Sequence, residues 1–249
     1  MGSLGSFLKA AVLAGLIAGA ITAGFHALLL EPLIERAIEI EEQASQARGD
    51  EAQEPAVDRP TQRWGLVLGF LVYGAMWGLL FGLVAYFVQT LRPTEWTIAR
   101  FGLSLALLVG WSMAMLPFLK YPANPPGVGV SETIGYRQWL YFGFLGLSAV
   151  GTAVAVGVNH WLRRSKPSAP AGRTRGALAV VVGYVIYVSL IYVAMPTNPD
   201  PVEMPAELVW PFRVIAFLGL IMFWTVLGGA FVWLLRDSPA PARVGKGVG

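Results

Sequence analysis

Residues Ala10 to Leu30 read AAVLAGLIAGAITAGFHALLL, 21 positions without a charged side chain. A bilayer core of about 30 Å needs roughly 20 apolar residues at the helical rise of 1.5 Å each, so this stretch is long enough to cross. The pattern recurs at Trp64–Leu91, Phe101–Leu119, Gln138–Leu162, Gly176–Met195 and Val214–Leu235, runs of 28, 19, 25, 20 and 22 residues. The six runs make up more than half of the 249-residue chain. Hydrocarbon offers no water to satisfy backbone groups, so each run must be a helix. The expected fold is all-α, a polytopic membrane bundle of about six transmembrane helices, with 1–249 forming one membrane domain.

Composition supports this. Hydrophobic residues are 55% of the chain and charged ones 13%, against roughly 25% charged in an ordinary soluble domain. A soluble enzyme, a β-barrel and a disordered chain are therefore excluded. There is no cysteine, hence no disulfide, thiolate metal site or cysteine nucleophile. The net charge of +3 is spread over the loops, and without a dense basic stripe no nucleic-acid partner is expected. The first run is longer than the roughly 7–15 residues of a signal-peptide core, and five more follow it, so it is read as a retained span. The opening Met1-Gly2-Ser3-Leu4-Gly5-Ser6 formally matches a myristoylation pattern, but a chain held by six spans gains nothing from one acyl group.

Lysine and arginine in the loops set the orientation. With the N-terminus inside, 11 basic residues are cytoplasmic and 7 are outside. The acid-free cluster Arg163, Arg164, Lys166, Arg173 and Arg175 in loop 163–175 decides most of this balance. Both termini are then cytoplasmic, and 236–249 is read as a disordered cytoplasmic tail. Acidic residues show the opposite bias: 13 of 15 fall outside, nine of them in the acidic loop 31–63. Such a surface concentrates cations.

The outward-running spans all end at proline. The first closes His26-Ala27-Leu28-Leu29-Leu30-Glu31-Pro32. The third closes on Pro117 and continues through Lys120, Pro122, Asn124, Pro125 and Pro126. The fifth closes on Met195-Pro196-Thr197-Asn198-Pro199-Asp200-Pro201. Proline lacks an N–H and crowds the preceding turn, so these ends are expected to be stiff, non-helical backbone with free carbonyls, the kind of segment that lines cavities and coordinates ions in transporters. Asn-Pro recurs at 124–125 and 198–199. Beyond Leu30 the first helix is expected to continue as an amphipathic extension. Glu31, Glu35, Glu39 and Glu42 share one face and Leu33, Ile34, Ala37 and Ile38 the other.

Metal-ligand candidates are few. An imidazole suits cobalt, nickel, copper and zinc, and oxygen donors complete a harder shell. His26 sits near the outer end of the first span, with Glu31 the nearest acid and Asn124 a candidate donor from another outer segment. On a straight helix, His26 and Glu31 point about 140° apart, so they share an ion only if Pro32 distorts the turn. Lys120 is expected to pair with Glu132 or a loop acid, ordering the mouth. Arg137 and Arg213 are expected to end their loops and brace them or anchor to headgroups. Asn198 and Asp200 belong to the same loop-ordering set as Pro32, Pro122 and Pro125. His160 lies at the cytoplasmic end of the fourth span, a possible exit. No Asp, Glu or Lys falls inside a charge-free run, so no deep carboxylate relay is expected. Phosphate-loop, HExxH and GxSxG signatures are absent, so the chain is not expected to be an enzyme or to hold a cofactor.

These pieces together resemble the CbtA family of proposed cobalt transporter subunits. The likeness rests on Phe25-His26 with Glu31-Pro32 and Arg36-Ala37-Ile38, on Thr61-Gln62-Arg63, and most specifically on Pro117-Phe118-Leu119 followed by KYPANPPGVG from Lys120 to Gly129. Thr133-Ile134, Arg137 and the segment Pro205 to Arg213 complete it. The resemblance implies uptake of cobalt for corrinoid synthesis across a prokaryotic cytoplasmic membrane, in company with a small single-span subunit bearing a histidine-rich end. Two other functions remain open at this level: a membrane scaffold or regulatory subunit that moves nothing, and a permease for a non-metal solute. A homo-oligomer is also compatible with the sequence.

Overall fold

The computed structural model describes residues 3–49, 57–92, 96–165 and 170–236. The described chain is helical, with α1 (Leu4–Leu29), α2 (Glu31–Arg48), α3 (Arg59–Val88), α4 (Ile98–Gly110), a π-helical segment Trp111–Met115, α5 (Leu116–Lys120), α6 (Ile134–Ser165), α7 (Pro170–Ala194) and α8 (Ala206–Arg236). Six helical stretches are long and apolar enough to span a membrane, with α4, the π segment and α5 forming one of them.

The helices run past the charge-free runs at several ends. The charge pattern marks where hydrocarbon begins, whereas backbone bonding continues into the interfacial region. Thus α8 starts just after Pro205, whose carbonyl accepts from the Leu208 and Val209 N–H groups at 3.0 and 3.1 Å. Arg213 therefore lies on a helix and not at the end of a loop. Likewise α6 and α7 consume most of the basic loop 163–175. Residues 50–56 of the acidic loop and the tail from 237 onward lie outside the described residues.

The first helix does not continue unbroken. It ends at Leu30, and α2 restarts with Pro32 in its first turn, where a missing N–H costs nothing. The amphipathic pattern persists along α2: Ala37 is buried and Leu33, Ile34 and Ile38 are half-buried, while Arg36 and Glu39 face out. Gly49 stops α2 in the left-handed conformation, φ 77°.

Four spans form a tight body. In lipid, apolar helices gain nothing by leaving hydrocarbon, so close backbone approach must supply the packing. Gly15 and Gly19 of α1 lie directly on the backbone of Gly74 and Phe70 of α3, and a Cβ at Gly15 or Gly74 would collide with the opposing carbonyl. On its other side α1 meets α8, which in turn packs on α4. The shared core is aromatic, with Phe7, Phe81, Phe223, Trp224 and Phe231 all but inaccessible. Edge-to-face contacts hold it, Phe81–Phe231 at 5.0 Å and Phe7–Phe231 at 5.7 Å.

The hairpin α6–α7 joins this body through the π segment and α5. Pro117 explains the π segment: its ring crowds the carbonyl one turn back, and the helix widens so that the Leu116 N–H reaches Trp111 O, five residues earlier. Across the interface, Ser148 Oγ on α6 donates to the Ser112 carbonyl at 2.7 Å. Trp111 Nε1 donates to Tyr184 Oη of α7 at 2.9 Å, and Tyr184 Oη lies 2.9 Å from Thr152 Oγ1.

Candidate functional site

The proline-broken ends of spans 1, 3 and 5 come together on one face. Tyr121, just past α5, donates its hydroxyl to the Pro196 carbonyl at 2.6 Å, and burial pushes its pKa up, so it stays a donor well above neutral pH. Tyr192 Oη donates to Leu119 O at 3.3 Å. Asp200 is the hub of the two loops. Its side chain is 2% exposed and Oδ2 accepts from the Val130 N–H at 3.2 Å and from Thr133 Oγ1 at 2.8 Å, with Arg137 Nε at 3.1 Å as an ion pair. Arg137 also donates through Nη2 to Val130 O at 3.1 Å. Asn198 Oδ1 accepts from the Asp200 N–H at 3.1 Å, closing a short turn that aims the carboxylate. From span 1, α2 brings Glu41 against Gly127, where Met204 of the third loop also makes contact. Gly127 and Gly129 have φ of 78° and 104°, which lets the second loop turn tightly between these neighbours.

Among the described residues His26 is the one buried histidine. It is 9% exposed, at the end of α1, with its ring edge-on to Phe70 at 4.9 Å. Its Nε2 is buried and has no hydrogen-bond partner, and the same holds for Thr22 Oγ1 one turn deeper. A buried polar atom left unpaired costs about 1–3 kcal/mol. Gly219 of α8 faces Nε2 so closely that a Cβ there would overlap it. Nothing in the sequence distinguishes Gly219 from the other glycines of an apolar helix; only the α1–α8 crossing reveals it.

The other two candidate ligands are engaged by arginine. Glu31 Oε1 accepts from Arg59 Nη2 at 3.0 Å and lies 3.4 Å from Arg63 Nε, and Arg63 also bonds Glu35. Both arginines open α3, so the Glu31 carboxylate is drawn toward α3 and not toward His26. Asn124 Oδ1 accepts from Arg213 Nη2 of α8 at 2.6 Å. Arg213 thus braces a loop from the first turns of α8.

Lys120 makes a different contact from the one expected. It donates to the Tyr192 carbonyl at 2.8 Å and sits 4.8 Å from the Tyr192 ring centroid. Glu132 occupies an exposed turn, Ser131–Thr133, before α6. Pro32 opens α2, Pro125 is fully buried, and Pro122 lines a cleft described below. His160 lies 26 residues into α6, about 39 Å along the axis, and is not brought near His26. Among the described residues no three His, Asp or Glu side chains converge on a common point.

A bundle of six helices long and apolar enough to span a membrane, with its loops tied together at one end, has the architecture of a multi-pass membrane protein. The chain belongs to the CbtA family: the family described as "Probable cobalt transporter subunit (CbtA)" matches residues 4–236, almost the whole chain. No curated protein and no solved structure matches it.

Proposed function

We propose that this chain is the permease subunit of a divalent-metal uptake system in the cytoplasmic membrane of a prokaryote. Its cargo is cobalt destined for corrinoid synthesis, and a small single-span subunit with a histidine-rich end works beside it. The proline-loop face is the outer one in this reading, following the excess of basic residues on the opposite side. Carboxylates of α2 and the loops raise the cation concentration there. The ion then exchanges part of its water shell for the His26 imidazole, a donor suited to cobalt, and moves along the α1–α8 seam past Thr22.

One observation carries this reading: the unpaired Nε2 of His26, buried opposite Gly219. Glu31 and Asn124, both held by arginine, shape the mouth. The test is cobalt accumulation, by elemental analysis, in cells expressing the chain with its companion. His26→Ala should cut accumulation about tenfold or more while membrane insertion persists. Undiminished uptake would take His26 out of the path.

A further inference from the structure

A second feature of the loop face is a cleft of about 470 Å³, within the size range of small-molecule sites. Tyr121, Asn124, Arg137, Gln138, Tyr141 and Asn198 supply its polar groups, and no carboxylate lines it. The chemistry of these groups is decided by what they have already spent. A cation would be held by the amide oxygens of Asn124 and Asn198, but each already accepts a hydrogen bond, the first from the Arg213 guanidinium Nη2, whose charge repels a cation, and the second from the Asp200 N–H. What each asparagine has wholly unspent is its NH₂ end, which donates only. Arg137 pairs with Asp200 through Nε and donates Nη2 to Val130 O, and its Nη1, beside Gly129, is a further donor. The amide flips follow from their partners, because a guanidinium and a backbone N–H can bond only to the oxygen. Val128, Ile134, Leu140 and Phe142 supply its apolar walls.

We infer that this cleft binds an oxyanion, a carboxylate or a phosphate, through the NH₂ groups of Asn124 and Asn198 together with Arg137. The inference does not depend on cobalt being the cargo, since uptake tests His26 while binding tests the cleft. The anion has two possible sources: a soluble organic acid, free or wrapped around a metal, and the phosphate of a lipid headgroup at this boundary of the bilayer.

The experiment is isothermal titration of the full-length protein in a neutral maltoside detergent with citrate, inorganic phosphate, cobalt chloride and the cobalt–citrate complex. Native mass spectrometry of the same protein with added phosphatidylglycerol forms the lipid arm. Asn124→Asp and Asn198→Asp are the informative variants, because each keeps the oxygen its partner needs and replaces the free donor with a negative oxygen. Citrate or phosphate should bind the wild type, and each variant should weaken that binding about tenfold or more with an unchanged thermal midpoint. Tyr141→Phe, which removes a lining hydroxyl with no partner among the described residues, should weaken it less. Retention of phosphatidylglycerol by the wild type and its loss in Asn198→Asp would assign the same chemistry to a lipid. Anion binding that both Asp variants leave intact would overturn the inference, as would no anion binding of either kind. Binding of cobalt chloride alone that is lost in Asn124→Ala would overturn it as well.

Discussion

The body of α1, α3, α4 and α8 and the hairpin of α6 and α7 solve the same packing problem in different ways. In the body, backbones touch at Gly15, Gly19, Gly74 and Gly78, and the remaining space is filled with interlocking aromatic rings. Few interhelical hydrogen bonds are made there. In the hairpin, α7 buries almost nothing along its span, and attachment combines a small apolar cluster of Leu116, Phe144 and Ile191 with polar contacts. Ser148 reaches Ser112, Tyr184 joins Trp111 to Thr152, and Asp200 ties the loops. Close approach of small residues builds a rigid unit because it leaves no room for rearrangement. Discrete hydrogen bonds attach a more loosely packed unit, and interhelical bonds in membranes contribute only about 0.6 kcal/mol on average, rarely above 1.7.

The sharpest way to break the contrast is at the α1–α3 seam. Gly15→Leu or Gly74→Leu leaves the new side chain no space between backbones, and the expected result is loss of monodisperse protein on gel filtration in detergent. Gly157→Leu on the exposed side of α6, where nothing lies within 4 Å, should purify like the wild type. If both behave alike, the seam does not carry the body.

Next in size is Asp200→Asn. Removing one partner of a buried ion pair costs roughly 3–5 kcal/mol, and here the partly exposed Arg137 places the loss near the lower end. A clear drop in the thermal unfolding midpoint should follow, with proteolysis between α5 and α6 appearing first. An unchanged midpoint would show that the loops are held by something other than Asp200.

Smaller still is Tyr184→Phe, which removes the hydroxyl shared by Trp111 and Thr152. Its expected cost is about 1 kcal/mol, read as a modest fall in midpoint with the body intact by tryptophan fluorescence. Ser148→Ala should cost about as much, since it leaves the Ser112 carbonyl without its interhelical donor. A loss as large as that of Asp200→Asn would mean the hairpin is an integral part of the core.

How much of this was legible beforehand differs between fold and site. The six spans follow from the charge-free runs because the bilayer imposes one length and one secondary structure on each. The helix ends were less legible: Arg213 looked like a loop residue, yet Pro205 starts α8 and places Arg213 on it. The Lys120 partner is hidden from the sequence for a related reason. Charge suggested Glu132, whereas the crossing of α5 and α7 offered the Tyr192 carbonyl at 2.8 Å.

The sequence by itself determined that the chain holds about six helices long and apolar enough to cross a membrane, and that proline would mark three span ends, because hydrocarbon and the pyrrolidine ring act on each segment locally. Only the tertiary structure decided which side chains those ends bring together. It set Gly219 against His26, gave the Asn124 oxygen to Arg213 and buried Asp200 between two loops. Those pairings depend on the angle and register at which distant helices cross, and no local rule of spacing or charge contains that information.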